Sequence, residues 1–151
     1  MQVVPSVLLR HVLRDGQHYD WLLGDPHQPA GRLWTARVAA ASEHWAVLRR
    51  VRLVPLAEHR RRYLTYQGPI AGDGGEVRRM DAGAAVCRLW TERRMVVDLA
   101  MRGYIGRVEI FRRAGGCWEA WFDVEALQKG LSRQLLVRGK AGCSWRFPVA
   151  S

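Results

Sequence analysis

His11, His18 and Asp20 fall within a span of ten residues on either side of an Asp-Gly pair. The stretch from Val7 to Leu23 reads as two β-prone runs joined at Asp15-Gly16, a pair that favours a two-residue hairpin turn because both central residues need positive φ. With Arg14 and Gln17 flanking the turn, Leu13 faces His18, His11 faces Asp20 and Leu9 faces Leu22. Directly opposed residues share a face of the ribbon, so His11, His18 and Asp20 converge on the side that also carries Leu9, Leu13 and Leu22. Opposed Cβ atoms lie about 5 Å apart and diagonal ones about 7 Å, within reach of a single ion. Two imidazoles and a carboxylate suit a borderline divalent cation such as manganese or zinc, with positions left for water or a substrate oxygen. This face is expected to point inward, leaving Arg10, Val12, Arg14, Gln17, Tyr19 and Trp21 on the outer one. The alternative is a plain cross-strand hydrogen bond between His11 and Asp20, with His18 satisfied elsewhere. A one-residue slip would scatter the group.

The elements that must position these residues are short. Apolar or alternating runs recur at Val7–Leu13, His18–Leu23, Arg32–Val38, Trp45–Val54, Tyr63–Tyr66, Glu76–Met80, Val86–Trp90, Met95–Met101 and Tyr104–Phe111. Turn-forming clusters separate them at Gly24-Asp25-Pro26, Gly72-Asp73-Gly74-Gly75, Asp81-Ala82-Gly83 and Gly115-Gly116. This spacing predicts an all-β fold, a small antiparallel sandwich or barrel. Nothing has the length and period of a long helix, although Val124 to Leu136 can form a short one. A length of 151 residues matches one domain. The expected division is a β core over 7–113 and a short helical or irregular appendage over 114–151, whose Trp118, Trp121, Trp145 and Phe147 would cover an open end of the core.

The net charge of +10 and isoelectric point near 10.7 favour polyanionic partners, nucleic acid first. Nearly all of that charge is arginine, so a solvated arginine-rich surface explains it equally well. Arginine pairs and triplets recur at Arg49-Arg50, Arg60-Arg61-Arg62, Arg78-Arg79, Arg93-Arg94 and Arg112-Arg113, with Trp and Tyr between them. Cys87, Cys117 and Cys143 form no CxxC pair and read as reduced thiols. Charges interrupt every apolar run well short of membrane length, and the N-terminus lacks the pattern of a signal peptide, so the expectation is a soluble, cytoplasmic protein with no membrane partner.

Four stretches in order, "RHVLRDGQHYDWLL", "LW" at Leu33-Trp34, "EHRRRYLTYQGPI" from Glu58 and "GEVRRMDAG" from Gly75, resemble the successive signatures of the 3′-phosphoesterase domain of bacterial DNA ligase D. The resemblance covers Val7 to about Arg113. It implies a compact β-barrel enzyme that uses one divalent metal, typically manganese, to remove ribonucleotides or phosphates from DNA 3′ ends in repair, with a DNA ligase or polymerase as a possible partner. Carried over by residue, His11, His18 and Asp20 would ligate the metal, while His59 and Tyr63 would bind the scissile phosphate, with His59 stabilising charge or donating a proton.

The chain also departs from that pattern. Leu22 stands where the family has a phosphate-holding arginine, Gln67 replaces its glutamate, Met80 replaces a tryptophan, and the Gly-rich loop is shorter. Arg10, Arg37 and the Arg60-Arg61-Arg62 run are the candidate replacements and the candidate nucleic-acid contacts. Two functions follow as expectations: a metal-dependent 3′-end phosphoesterase, or a nucleic-acid-binding or scaffold module that keeps the barrel and has lost the chemistry.

Overall fold

The computed structural model describes residues 2–72 and 74–126. Nine strands, β1 (Val3–Leu13), β2 (Gly16–Gly24), β3 (Leu33–Val38), β4 (Arg50–Pro55), β5 (Gly68–Pro69), β6 (Glu76–Trp90), β7 (Arg94–Met101), β8 (Ile105–Arg112) and β9 (Trp118–Asp123), form one antiparallel sheet. The sheet runs β1-β2-β3-β4-β9-β8-β7-β6, and β1 pairs again with β6. Eight strands therefore close into a barrel, and the two-residue β5 adds to the start of β6. The β-barrel expected from the spacing of the apolar runs is the fold.

Several local expectations are corrected. Strand β9 lies between β4 and β8, so the barrel continues to Asp123, past the Arg113 boundary. Gly115 and Gly116 take φ of 84° and 83°, a left-handed turn that reverses the chain from β8 into β9 and so makes a hairpin of the expected linker. Asp81-Ala82-Gly83 is no turn but the middle of β6. There the Asp81 carboxylate accepts hydrogen bonds from the Ser42 hydroxyl and from the backbone of Ala82, Arg102 and Gly103. Tyr63–Tyr66 is not a strand, since Arg61–Leu64 forms a 3₁₀ turn. The run from Trp45 enters through a short helix, α1 (Trp45–Leu48), before β4 begins. Of the proposed C-terminal helix, residues 124–126 are helical and the rest lies outside the described residues, as do Cys143, Trp145 and Phe147.

The barrel is filled from its inner face. Leu8, Trp21, Leu23, Ala36, Val38, Leu53, Val97, Leu99, Val108 and Ile110 are all buried there, and Trp45 closes over them. Trp21 Nε1 donates to Ser6 Oγ, whose hydroxyl lies 2.9 Å from Met101 Sδ, so the polar atoms that enter the core are matched. A second, smaller cluster of Val7, Leu9, Leu22 and Leu33 is separate from this core. It occupies the opposite face of β1, β2 and β3 and is covered by Tyr63 and Leu64 from the β4–β5 connection.

The inward and outward faces of the first hairpin are thus reversed from expectation. Trp21, expected outside, is fully buried in the barrel, and Tyr19 packs against that core. The face carrying His11, His18 and Asp20 is the outer wall, beneath the segment that crosses from β4 to β6. Both faces of the ribbon are apolar, and the larger set, with Trp21, takes the larger core.

Candidate metal centre

The β1–β2 register pairs His11 with His18, Leu9 with Asp20, Val7 with Leu22 and Leu13 with Gly16. Arg14 and Asp15 are the turn residues, one place earlier than expected. Moving a two-residue turn by one position slides the strands by two, which preserves the face of every residue. The three polar groups therefore still converge. His11 Nδ1 lies 3.2 Å from His18 Nε2, His18 Nε2 lies 3.4 Å from Asp20 Oδ1, and His11 Nδ1 lies 3.9 Å from Asp20 Oδ2.

These separations match a shared cation. Ligands about 2.1 Å from a metal in tetrahedral geometry are about 3.4 Å from each other. Hydrogen bonding prepares the donors as well. His11 Nε2 bonds the carbonyl of Gly74. With its proton there, the neutral ring presents a bare lone pair at Nδ1, the usual way a neighbouring acceptor fixes a metal-binding histidine. Burial, against the pull of Asp20 and with help from the charge of Arg37, holds His18 below its ordinary value, which favours the neutral, ligating form. Asp20 is buried, and its Oδ1 has no hydrogen-bond partner, although it stands at ion-pair distance from His18. A buried carboxylate oxygen left without a donor is costly unless a cation takes that role. His11, His18 and Asp20 can therefore hold a metal ion.

His59 comes to the same place by a long-range route. Leu33 and His59 exchange backbone hydrogen bonds at 2.8 and 3.1 Å, an isolated bridge that extends β3. His59 Nδ1 lies 2.9 Å from the Ala57 carbonyl, which leaves Nε2 turned toward Asp20, 3.9 Å from Oδ2. Tyr63 packs against it at a tilt, with ring centroids 5.5 Å apart and planes at 58°. His59 and Tyr63 thus border the cluster from the 56–66 segment.

The candidate arginines separate by position. Arg37 pairs with Asp20 across β2 and β3, so it shares the face of the three ligand groups, and it is exposed. Arg10 pairs with Tyr19 and takes the opposite, barrel-facing side, so it cannot serve as the clamp. Arg61 reaches the Gly31 carbonyl at 3.5 Å, and Arg62 lies over the rings of Tyr63 and Tyr66 at 5.4 and 4.5 Å. Arg60 lines a cleft of about 350 Å³ with Arg32, Glu58, His59, Arg62, Tyr63, Ile70 and Ala71. Leu22 is fully buried among Val7, Leu9 and Leu33, an apolar seat with no room for a phosphate-binding cation. Gln67 Oε1 accepts the Arg79 backbone N–H at 3.0 Å, a structural use.

Arg32 is the residue that sequence reasoning missed. It belongs to no motif, and only the Leu33–His59 bridge reveals where it lies. A larger concavity of about 790 Å³, bounded by Arg49, Arg107, Trp121 and Glu125 among others, shares no residue with the histidine cluster. Among the described residues no helix is long and apolar enough to cross a membrane. Neither the protein-family models nor the curated proteins include a match to this chain.

Proposed function

We propose that this protein is a metal-dependent phosphoesterase acting on 3′ ends of DNA, removing a terminal ribonucleotide or phosphate in repair. The observation that carries the reading is the convergence of His11 Nδ1, His18 Nε2 and an unpartnered Asp20 oxygen, with His59 and Arg37 beside them. A bound divalent ion, with manganese the first choice and zinc the second, supplies Lewis-acid polarisation of a phosphoryl oxygen. Arg37, one strand from Asp20 on the same face, attracts and orients the phosphate that Leu22 cannot hold. His59 presents Nε2 toward the reacting group and supplies or withdraws a proton there, held by its bond to Ala57. Tyr63 fixes the ring of His59 and offers its hydroxyl to the phosphate. A DNA ligase or polymerase is the partner such end processing would serve, and the cytoplasm its place.

The test is incubation of purified protein and manganese with a primer ending in a 3′-ribonucleotide or a 3′-phosphate. Trimming that disappears in His18→Ala supports the reading. No trimming by protein shown to bind manganese refutes it. That result would favour the second reading, a nucleic-acid-binding module without turnover, whose support is the buried Leu22 in place of a phosphate-binding cation.

A further inference from the structure

We infer that the cleft beside His59 is a binding subsite for the phosphate backbone of a single-stranded nucleic-acid end, with Arg32 and Arg60 as its paired phosphate contacts. The Leu33–His59 bridge is antiparallel, so the residues one step outward on each chain, Arg32 and Arg60, stand across from each other. Both line the same cleft. Like charges directly opposed across strands destabilise each other, and a bound anion reverses that penalty. Neither guanidinium makes a hydrogen bond or ion pair among the described residues, whereas Arg61 and Arg62 are committed to Gly31 and to the two tyrosines. Both are exposed, so solvent screening makes the arrangement tolerable when empty.

The lining has three arginines against one carboxylate, Glu58, so the cleft concentrates positive potential beside the metal centre. Its volume of about 350 Å³ is at the small end of ligand clefts, roughly 300–1,000 Å³. That size matches one nucleotide-sized segment of a strand. Because His59 is shared by the cleft and the histidine cluster, a strand lying here carries its end to Asp20. The inference deepens the phosphoesterase reading and depends on it only for the identity of that end.

The test is a fluorescence anisotropy titration of the full chain with a labelled single-stranded oligonucleotide ending in a 3′-phosphate. Metal is withheld so that turnover does not compete. Each phosphate contact on a single strand contributes about 0.7 to the slope of log affinity against log salt concentration. Arg32→Gln/Arg60→Gln is expected to reduce that slope by about 1.4, and Arg32→Lys/Arg60→Lys to restore it. Arg50→Gln/Arg52→Gln, which removes the same charge on β4, is expected to leave the slope within 0.3 or so of wild type. Equal losses in both glutamine variants, or no loss in the first, would overturn the subsite. A protein that never trims primers but shows the selective loss would fail as an esterase and keep the subsite.

Discussion

Asp20→Asn separates a metal-binding carboxylate from a structural one. In wild type without metal, Asp20 is buried and its Oδ1 has no hydrogen-bond donor. Leaving a buried acceptor unsatisfied costs about 1–3 kcal/mol. The amide removes the charge and can donate to a neighbouring imidazole, so in chelator the variant should be as stable as wild type or slightly more stable. Saturation reverses the order. Metal at a hundred times its dissociation constant stabilises the binding-competent protein by about 2.7 kcal/mol. In a chain of this size that raises the melting temperature by about 5–10 °C. Melting followed by circular dichroism, in EDTA and in excess manganese, should show a rise for wild type and almost none for Asp20→Asn, so the two curves exchange places. If the variant melts below wild type by the same margin in both buffers, Asp20 is holding the hairpin together and the metal argument fails.

Arg37→Gln is expected to lower kcat/KM on 3′-end substrates about 10–100-fold while calorimetry shows manganese binding unchanged or tighter, since a positive charge leaves the neighbourhood of the ion. Leu22→Arg, which adds a cation on the face of the three ligand groups, should not raise activity on 3′-end substrates. Its place is fully buried, so urea unfolding should show a loss of more than about 2 kcal/mol. The acid limb of stability should depend on Asp98. Burial alone would raise this carboxyl, but hydrogen bonds and charge from Arg107 and Arg88 hold it below its ordinary value. A depressed acid lends stability that is complete above its unfolded pKa of about 3.9 and lost as pH falls through the folded value. Asp98→Asn should therefore be less stable near neutrality and show a flatter stability curve below pH ~4, measured by denaturant unfolding across that range.

The convergence of His11, His18 and Asp20 is legible from the sequence because strand alternation has a period of two, and the displaced turn at Arg14-Asp15 preserved it. Which face of the hairpin enters the barrel is not legible. Val7, Leu9 and Leu22 read as convincingly apolar as Leu8, Trp21 and Leu23, and only the rest of the chain decides which set meets the larger core. The nearness of His59 and Tyr63 to the three ligand groups is not legible from local pattern, which makes their run an exposed basic loop; it comes from the Leu33–His59 bridge. Arg37 could not be distinguished from the other arginines without the β2–β3 register, which the Gly24–Gly31 connection conceals. The 81–83 stretch misled for a clear reason. Its turn-like residues serve a close packing in which a Cβ on Gly83 would stand 1.9 Å from the Ala100 carbonyl oxygen.

The two separate apolar clusters have a consequence for how such a protein changes over generations. The apolar group beneath the candidate metal centre, Val7, Leu9, Leu22 and Leu33, is separate from the one that fills the barrel. The crossing segment with Arg60, Tyr63 and Gly74 can thus vary in length and charge at the cost of the smaller cluster alone, while the Trp21 and Trp45 interior goes on folding the same barrel. A lineage can change the outer wall and keep the architecture.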